Sequence, residues 1–229
     1  MPTLSPTSLN QAILDLIAMC VLLLTFVMLG SHWIRNHILA FAAQSWVLAL
    51  LSAFIGFSGH YPALLVIAGL TLLFRGLILP HLLVRILDRA HLNREFAPVV
   101  QSAMSVVMGA LCVLLAYGAA LRLGQAVTGQ SPVTPVMRIG LTSLLAVVLI
   151  GFLMLVLRRE AVSHLLGLLV IENGIFLGSL ILMPGLPLLL EFVVLFDLLL
   201  IVVALGMFVR YLRAEIGSTD SRALDRLVG

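Results

Sequence analysis

The sequence contains no lysine, because all 13 of its basic residues are arginine. The absence of a side-chain amine excludes Schiff-base chemistry with retinal or pyridoxal, so the chain is not a rhodopsin-like protein. Only two cysteines occur, Cys20 and Cys112, and each lies inside an apolar run. A disulfide framework and a CxxC metal or cluster site are therefore excluded as well.

Charged residues are also scarce. They make up 10% of the 229 residues, whereas hydrophobic residues make up 62% and the mean hydropathy is +1.21. A water-soluble domain of this size could not bury so much apolar surface. About seven apolar runs are long enough to span a bilayer, since each spanning helix needs roughly 20 residues. Their approximate limits are 9–30, 38–57, 62–86, 97–121, 136–157, 161–183 and 187–210. We therefore expect an all-α, polytopic membrane protein.

The arginines predict how the chain is oriented. They lie singly or in pairs at helix ends, which is not a pattern that binds nucleic acid. Ten lie on one side of the predicted helices and two on the other, so the positive-inside rule predicts an outside N-terminus and a cytoplasmic C-terminus. The ten are Arg35, Arg85, Arg89, Arg94, Arg158, Arg159, Arg210, Arg213, Arg222 and Arg226. The loop at 122–135 divides the chain into an N-terminal group of four helices (1–121) and a C-terminal three-helix unit with a short cytoplasmic tail (136–229).

Several charged residues fall inside the predicted spans, and an ionised side chain near the bilayer centre costs roughly 2.5 to 3.5 kcal/mol. Glu172 and Asp197 each lie about eleven residues into their runs, near the bilayer midplane, on helices joined by a short turn. Glu191 lies about 9 Å nearer the outer surface than Asp197 and roughly 120° around the helix. Arg75 is the cation in mid-helix. The three acids are therefore proton-relay candidates, and Arg75 is their predicted charge partner.

Uncharged polar residues and histidines extend a possible polar path from these acids. Gln44 and Asn173 offer hydrogen-bonding positions inside spans, and His81 and His164 lie toward the cytoplasmic ends of their helices. A side chain that titrates near neutral pH suits proton entry. A haem held between His81 and His164 is an alternative, but we expect no metal and no cofactor in this chain.

Two stretches near the C-terminus carry these acids at a defined spacing. The first is Gly167-Leu-Leu-Val-Ile-Glu172-Asn173-Gly174-Ile-Phe, and the second, after a short turn, is Leu190-Glu191-Phe-Val-Val-Leu-Phe-Asp197. They resemble component E of hydrogenase-4, a membrane-arm subunit of group 4 nickel–iron hydrogenases and formate hydrogenlyase-type complexes. Weaker agreement includes Ala43-Gln44-Ser45 and the Arg75 to Pro80 stretch. The three C-terminal helices are similar in turn to two small three-helix membrane proteins, component K of respiratory complex I and component C of Mrp-type antiporters.

The resemblance implies a non-catalytic subunit of a proton-translocating, energy-converting complex in the cell inner membrane. Glu172 would match the first membrane glutamate of the complex I component, and either Asp197 or Glu191 the second. The implied partners are antiporter-like membrane subunits and soluble nickel–iron hydrogenase and iron–sulfur subunits. The alternative is a structural membrane anchor, in which an ion pair of Arg75 with Glu172 or Asp197 only holds helices in register. A stand-alone transporter is disfavoured because no inverted repeat is visible.

Overall fold

The computed structural model describes residues 8–31, 33–89, 102–128, 134–158 and 161–183, together with the isolated positions 203 and 206. Every element in these ranges is a helix. The α-helices are α1 (Ser8–Gly30), α2 (Ile34–Gly59), α3 (Pro62–Leu73), α4 (Leu79–Arg89), α5 (Ser102–Thr128), α6 (Pro135–Leu157) and α7 (Ala161–Leu182). A π-helical stretch, Phe74–Ile78, joins α3 to α4 and is called the π segment below.

Six helical stretches of the described residues are long and apolar enough to cross a membrane. They are Gln11–Gly30, Ile34–Gly59, Pro62–Arg85, Ala103–Ala126, Pro135–Leu157 and Val162–Leu182. The prediction of a helical, multi-pass membrane protein is therefore confirmed. The seventh predicted span, 187–210, lies outside the described residues apart from positions 203 and 206.

α2 and α5 extend farthest beyond the limits that the apolar runs predict. α2 begins at Ile34 rather than at 38, so His37 lies inside the helix, where it is buried. α5 ends at Thr128 rather than at 121, and Arg122 lies within it. The sequence prediction ends this span at its first charged residue. Arginine has a high helix propensity, however, so the helix continues past its apolar part.

α7 is the most buried of the spans that the structure describes. In the apolar part of α7, 72% of the residues are buried, whereas 22% are buried in the apolar part of α5. It packs mainly against α6 and α2, while α6 also packs against α5 and α1. The exposed apolar side chains of α5, such as Leu114, face outward, which suits contact with lipid or with another membrane protein. Helices from both halves of the sequence thus enclose α7.

α6 and α7 approach each other closely because glycines line their contact. A Cβ atom at Gly151 would lie 2.6 Å from Ile171 Cγ1 and 3.0 Å from the Ile171 backbone nitrogen. A Cβ atom at Gly167 would lie 2.9 Å from Leu155 Cδ2 and 3.3 Å from the Gly151 carbonyl oxygen. Small residues allow tight backbone packing in a membrane, where the hydrophobic effect does not drive helices together. This contact fixes the position of the middle of α7.

The π segment widens the third span next to a proline. Pro80 has no N–H to donate to the carbonyl group four residues earlier, which belongs to Gly76, and its ring crowds that carbonyl group. The indole Nε1 of Trp46 on α2 donates a hydrogen bond to the Gly76 oxygen over 3.2 Å. A Cβ atom at Gly76 would come within 2.9 Å of this indole nitrogen, so the contact requires glycine.

The π segment also keeps one row of side chains facing the bundle. Buried positions recur every four residues, at Thr71, Arg75, Leu79, Leu83 and Leu87. In a regular α-helix each such step would rotate the row by about 40° away from a single face. A π turn accommodates one additional residue, which counters this rotation. The side chain of Arg75, inside the π segment, is consequently wholly buried.

Gly151→Ala should lower the free energy of unfolding by about 1–3 kcal/mol, because the new Cβ atom meets backbone atoms of α7 that can yield only if the two helices separate. Thermal unfolding of the purified protein in detergent measures this loss. Gly118→Ala on α5 is the matched control, since nothing lies within 4 Å of a Cβ atom built there. An equal Tm for the two variants would contradict the close contact of α6 and α7.

Candidate functional site

A buried ion pair joins the π segment to α7. Nη2 of Arg75 contacts Oε1 of Glu172, and the two side chains are only 1% and 5% exposed. Glu172 is the central residue of the apolar span Val162–Leu182, ten positions from either end. Two charges have therefore been removed from solvent at the depth where an unpaired charge is least tolerated.

Three side chains of α7 surround the Arg75 guanidinium. Glu172 and Phe176 lie on the same helix face because they are four residues apart, and Asn173 lies beside them. Oδ1 of Asn173 accepts a hydrogen bond from Nη1 of Arg75 over 2.7 Å. Cζ of Arg75 lies 6.0 Å from the centre of the Phe176 ring, at the outer range of a cation–π contact. One turn of α7 thus supplies a carboxylate, an amide oxygen and an aromatic face to a single cation.

Hydrogen bonds continue from Asn173 across two further helices. Nδ2 of Asn173 donates to Oε1 of Gln44 on α2 over 2.9 Å. Nε2 of Gln44 donates to Oγ1 of Thr25 over 2.8 Å and to the Val21 carbonyl oxygen over 3.0 Å, both on α1. The Thr25 hydroxyl donates to the same Val21 oxygen over 2.8 Å. We call Asn173, Gln44 and Thr25 the polar chain; all three are completely buried.

The chemistry available to this group of residues is restricted to one proton site. Glu172 is the member that can gain or lose a proton, since a guanidinium stays protonated in proteins and the amides of Asn173 and Gln44 do not titrate. Burial favours the neutral carboxylic acid, whereas the adjacent guanidinium favours the carboxylate. These two effects oppose each other at Glu172.

A second buried contact lies at the end of α1. Nη2 of Arg158 donates to the carbonyl oxygens of Leu29, over 3.2 Å, and of Ser31, over 2.9 Å. Nε2 of His37 donates to the same Ser31 oxygen over 3.0 Å. The last carbonyl groups of a helix have no donors within the helix, so these side chains cap α1. Arg158, which the sequence presents as a topology signal, is therefore also a structural residue.

The structure brings four of the predicted site residues together. They are Arg75, Glu172, Asn173 and Gln44. Glu191 and Asp197 lie outside the described residues, so the identity of a second relay acid stays a prediction. His81 is exposed on α4 and His164 is half-buried on α7, and neither belongs to the ion pair or to the polar chain. Within the described ranges, no group of three or more His, Cys, Asp or Glu side chains is arranged to hold a metal ion.

The sequence interpretation missed Thr25 and Trp46. A threonine in a membrane helix usually bonds its own backbone, as Thr25 does with Val21, and so gives no sign of a partner on another helix. A signal for Trp46 does exist in the sequence. Pro80 leaves the Gly76 carbonyl group without its usual donor, but only the fold shows that the donor comes from α2.

Comparison with known proteins relates the chain to a mycobacterial protein. No family model matches the sequence, and no solved structure matches it. An uncharacterized protein of Mycobacterium tuberculosis, Rv0085, is 30% identical over 195 residues, which make up 85% of this chain and 84% of that protein. The similarity therefore extends over most of both chains.

Removing one partner of the ion pair should destabilise the protein more than removing both. Glu172→Leu should cost about 3–5 kcal/mol, because it leaves a guanidinium buried without its carboxylate. Arg75→Met should cost less, since a lone carboxyl group can become neutral by binding a proton whereas arginine cannot lose one. The double variant should be more stable than Glu172→Leu alone. Unfolding in detergent measures all three, and strictly additive losses would contradict an energetic coupling of the pair.

Proposed function

The chain belongs to the same family as the mycobacterial protein Rv0085, and we propose that it is an integral membrane subunit of a proton-translocating, energy-converting hydrogenase-type complex. In this proposal the chain does not catalyse the redox reaction, which takes place on soluble nickel–iron hydrogenase and iron–sulfur subunits. Its own contribution is a carboxyl group inside the membrane that takes up and releases protons. The hydrogenase-4 resemblance of the stretch around Glu172 supports the class of complex.

The buried pair of Arg75 and Glu172 is the observation that carries the proposal. An acid at the middle of a membrane span is costly and marks proton or ion pathways more often than it serves packing. The pair lies at the most buried helix of the described bundle, where lipid does not reach it. A small displacement of the guanidinium changes the balance between the two protonation states of Glu172, so movement of a neighbouring protein in the complex can load or release its proton.

The remaining features of the proposed subunit follow from the sequence. We propose seven spans, an outside N-terminus and a cytoplasmic C-terminus in the cell inner membrane, as the distribution of arginines predicts. Either Asp197 or Glu191 would supply the second relay acid on the seventh span. Antiporter-like membrane subunits would contact the chain in the bilayer, and the exposed apolar faces of α1 and α5 leave room for such neighbours.

A second candidate function is a structural membrane anchor of such a complex. The observation that favours it is the polar chain, which links α7 to α2 and α1 through groups that do not titrate. A network that ties three helices to one arginine would hold the bundle in register whether or not a proton moves. The two candidate functions predict different effects on proton movement when the carboxyl group of Glu172 is removed.

Glu172→Gln keeps the size and the acceptor oxygen of the side chain but removes its proton exchange. In the complete complex reconstituted into vesicles, proton movement coupled to hydrogen turnover should fall by about tenfold or more, while assembly of the complex is retained. Ser45→Ala is the control, because it removes a buried hydroxyl that bonds within its own helix, to the Phe41 carbonyl oxygen over 3.0 Å. Unchanged proton movement in Glu172→Gln would exclude the relay and leave the anchor.

Purification of the tagged chain under mild detergent conditions should recover a complex that includes a nickel-containing hydrogenase subunit and an antiporter-like subunit, identified by mass spectrometry. A complex with redox subunits but no hydrogenase would place the chain in another energy-converting assembly. Recovery of the chain alone, able to transport ions after reconstitution, would contradict both candidate functions.

A further inference from the structure

The hydrogen bonds of the polar chain all run in one direction. A guanidinium is a donor without acceptor capacity, so Asn173 must present its oxygen to Arg75. The amide nitrogen of Asn173 then faces α2, where Oε1 of Gln44 accepts from it over 2.9 Å. The amide nitrogen of Gln44 is consequently directed toward α1. The cation therefore dictates the orientation of both amides.

The opposite end of the polar chain imposes the same direction. The Val21 carbonyl oxygen can only accept, and it receives hydrogen bonds from Nε2 of Gln44 and from the Thr25 hydroxyl. Because the Thr25 hydroxyl donates to Val21, it accepts from Gln44. A donor-only group at one end and an acceptor-only group at the other leave a single consistent orientation for every amide between them.

A chain of this kind does not conduct protons. Transfer along a hydrogen-bonded row requires each member to release one proton and accept another, after which every bond has reversed. Amide groups do not titrate, and the two fixed ends forbid the reversed orientation. Each dipole of the chain instead turns its negative end toward Arg75. The chain therefore stabilises the guanidinium charge without using the charge of Glu172.

We propose that Gln44 is a positioning residue that holds Arg75 in place, through Asn173, while Glu172 is protonated. This inference rests on the proposed function, in which Glu172 alternates between its charged and neutral forms. Two anchors of Arg75 within the described residues use different nitrogen atoms, Nη2 for Glu172 and Nη1 for Asn173. When protonation weakens the first anchor, the second keeps the guanidinium at the site. The guanidinium then stays within reach of Glu172 in both protonation states, so its displacements remain small.

Gln44 is the member on which this role depends most. Its side chain is completely buried on α2, and its two functional atoms join Asn173 on α7 to Thr25 on α1. If Gln44 loses its amide, the Asn173 nitrogen loses its described acceptor, and the Asn173 side chain loses the contact that holds it to α2. Ser45 is the adjacent buried polar residue, and its hydroxyl bonds within α2.

The test compares four variants of the full chain with the unaltered protein. It measures the steady-state level of each in the native membrane and its thermal unfolding in detergent. Glu172→Gln imitates the protonated acid, and Gln44→Leu breaks the polar chain. Each single variant should accumulate within about twofold of the unaltered protein, since Glu172→Gln keeps an acceptor oxygen beside Arg75 and Gln44→Leu leaves the Glu172 carboxylate in place. The double variant should fall by about fivefold or more, because both described anchors are weakened at once. Glu172→Gln combined with Ser45→Ala should match Glu172→Gln alone.

A third substitution separates anchoring of the charge from simple packing. Arg75→Met, added to Glu172→Gln and Gln44→Leu, should restore the level to within about twofold of the single variants, since no buried cation then needs an anchor. A packing role for Gln44 would give additive losses that Arg75→Met does not rescue, and that result would overturn the inference. Because these readouts do not involve proton movement, they test the anchor separately from the relay. Unchanged proton movement in Glu172→Gln would instead count against the proposed function.

Discussion

An arginine side chain keeps its charge even inside a membrane, and the described bundle is organised around that constraint. The carboxylate, amide oxygen and aromatic ring described around Arg75 all come from one turn of α7. The depth and rotation of α7 must therefore match those of the span that carries the arginine. Glycine contacts with α6 set the position of α7, and the π segment sets the rotation of Arg75.

Stability and proposed function depend on the same charge in this protein. A buried acid that relays protons changes its charge each time it binds or releases a proton. An interior of closely packed side chains tolerates such changes poorly. In the proposed relay, two partners of one cation divide this requirement: Glu172 changes its protonation state, and Asn173 does not. A structural anchor and a proton relay are thus compatible roles for one network. In the proposed relay, Asn173 keeps Arg75 in place each time Glu172 changes its charge.

The sequence predicted the helical membrane fold because length and apolarity alone identify a spanning helix. It also identified Arg75 and Glu172, since charged residues in apolar runs are conspicuous and their depth follows from helical rise. Which acid faces the arginine could not be predicted, because that depends on helix rotation. The capping role of Arg158 was hidden for a different reason: its partners are backbone carbonyl groups, which have no sequence signature. The extension of α5 through Arg122 likewise reflects helix propensity rather than hydropathy.

The π segment gives the third span an unusual sensitivity to changes in length. Pro80 and the Trp46 bond to Gly76 hold the additional residue at one place, immediately around Arg75. Loss of a single residue there would replace the widened turn by a regular α-helical turn, so the side chain of Arg75 and the Gly76 carbonyl group would no longer hold their positions. Insertions and deletions between Arg75 and Pro80 should therefore disturb the site more than substitutions on the outward face of this span do. The number of residues in this stretch is therefore constrained together with the identities of Arg75, Gly76 and Pro80.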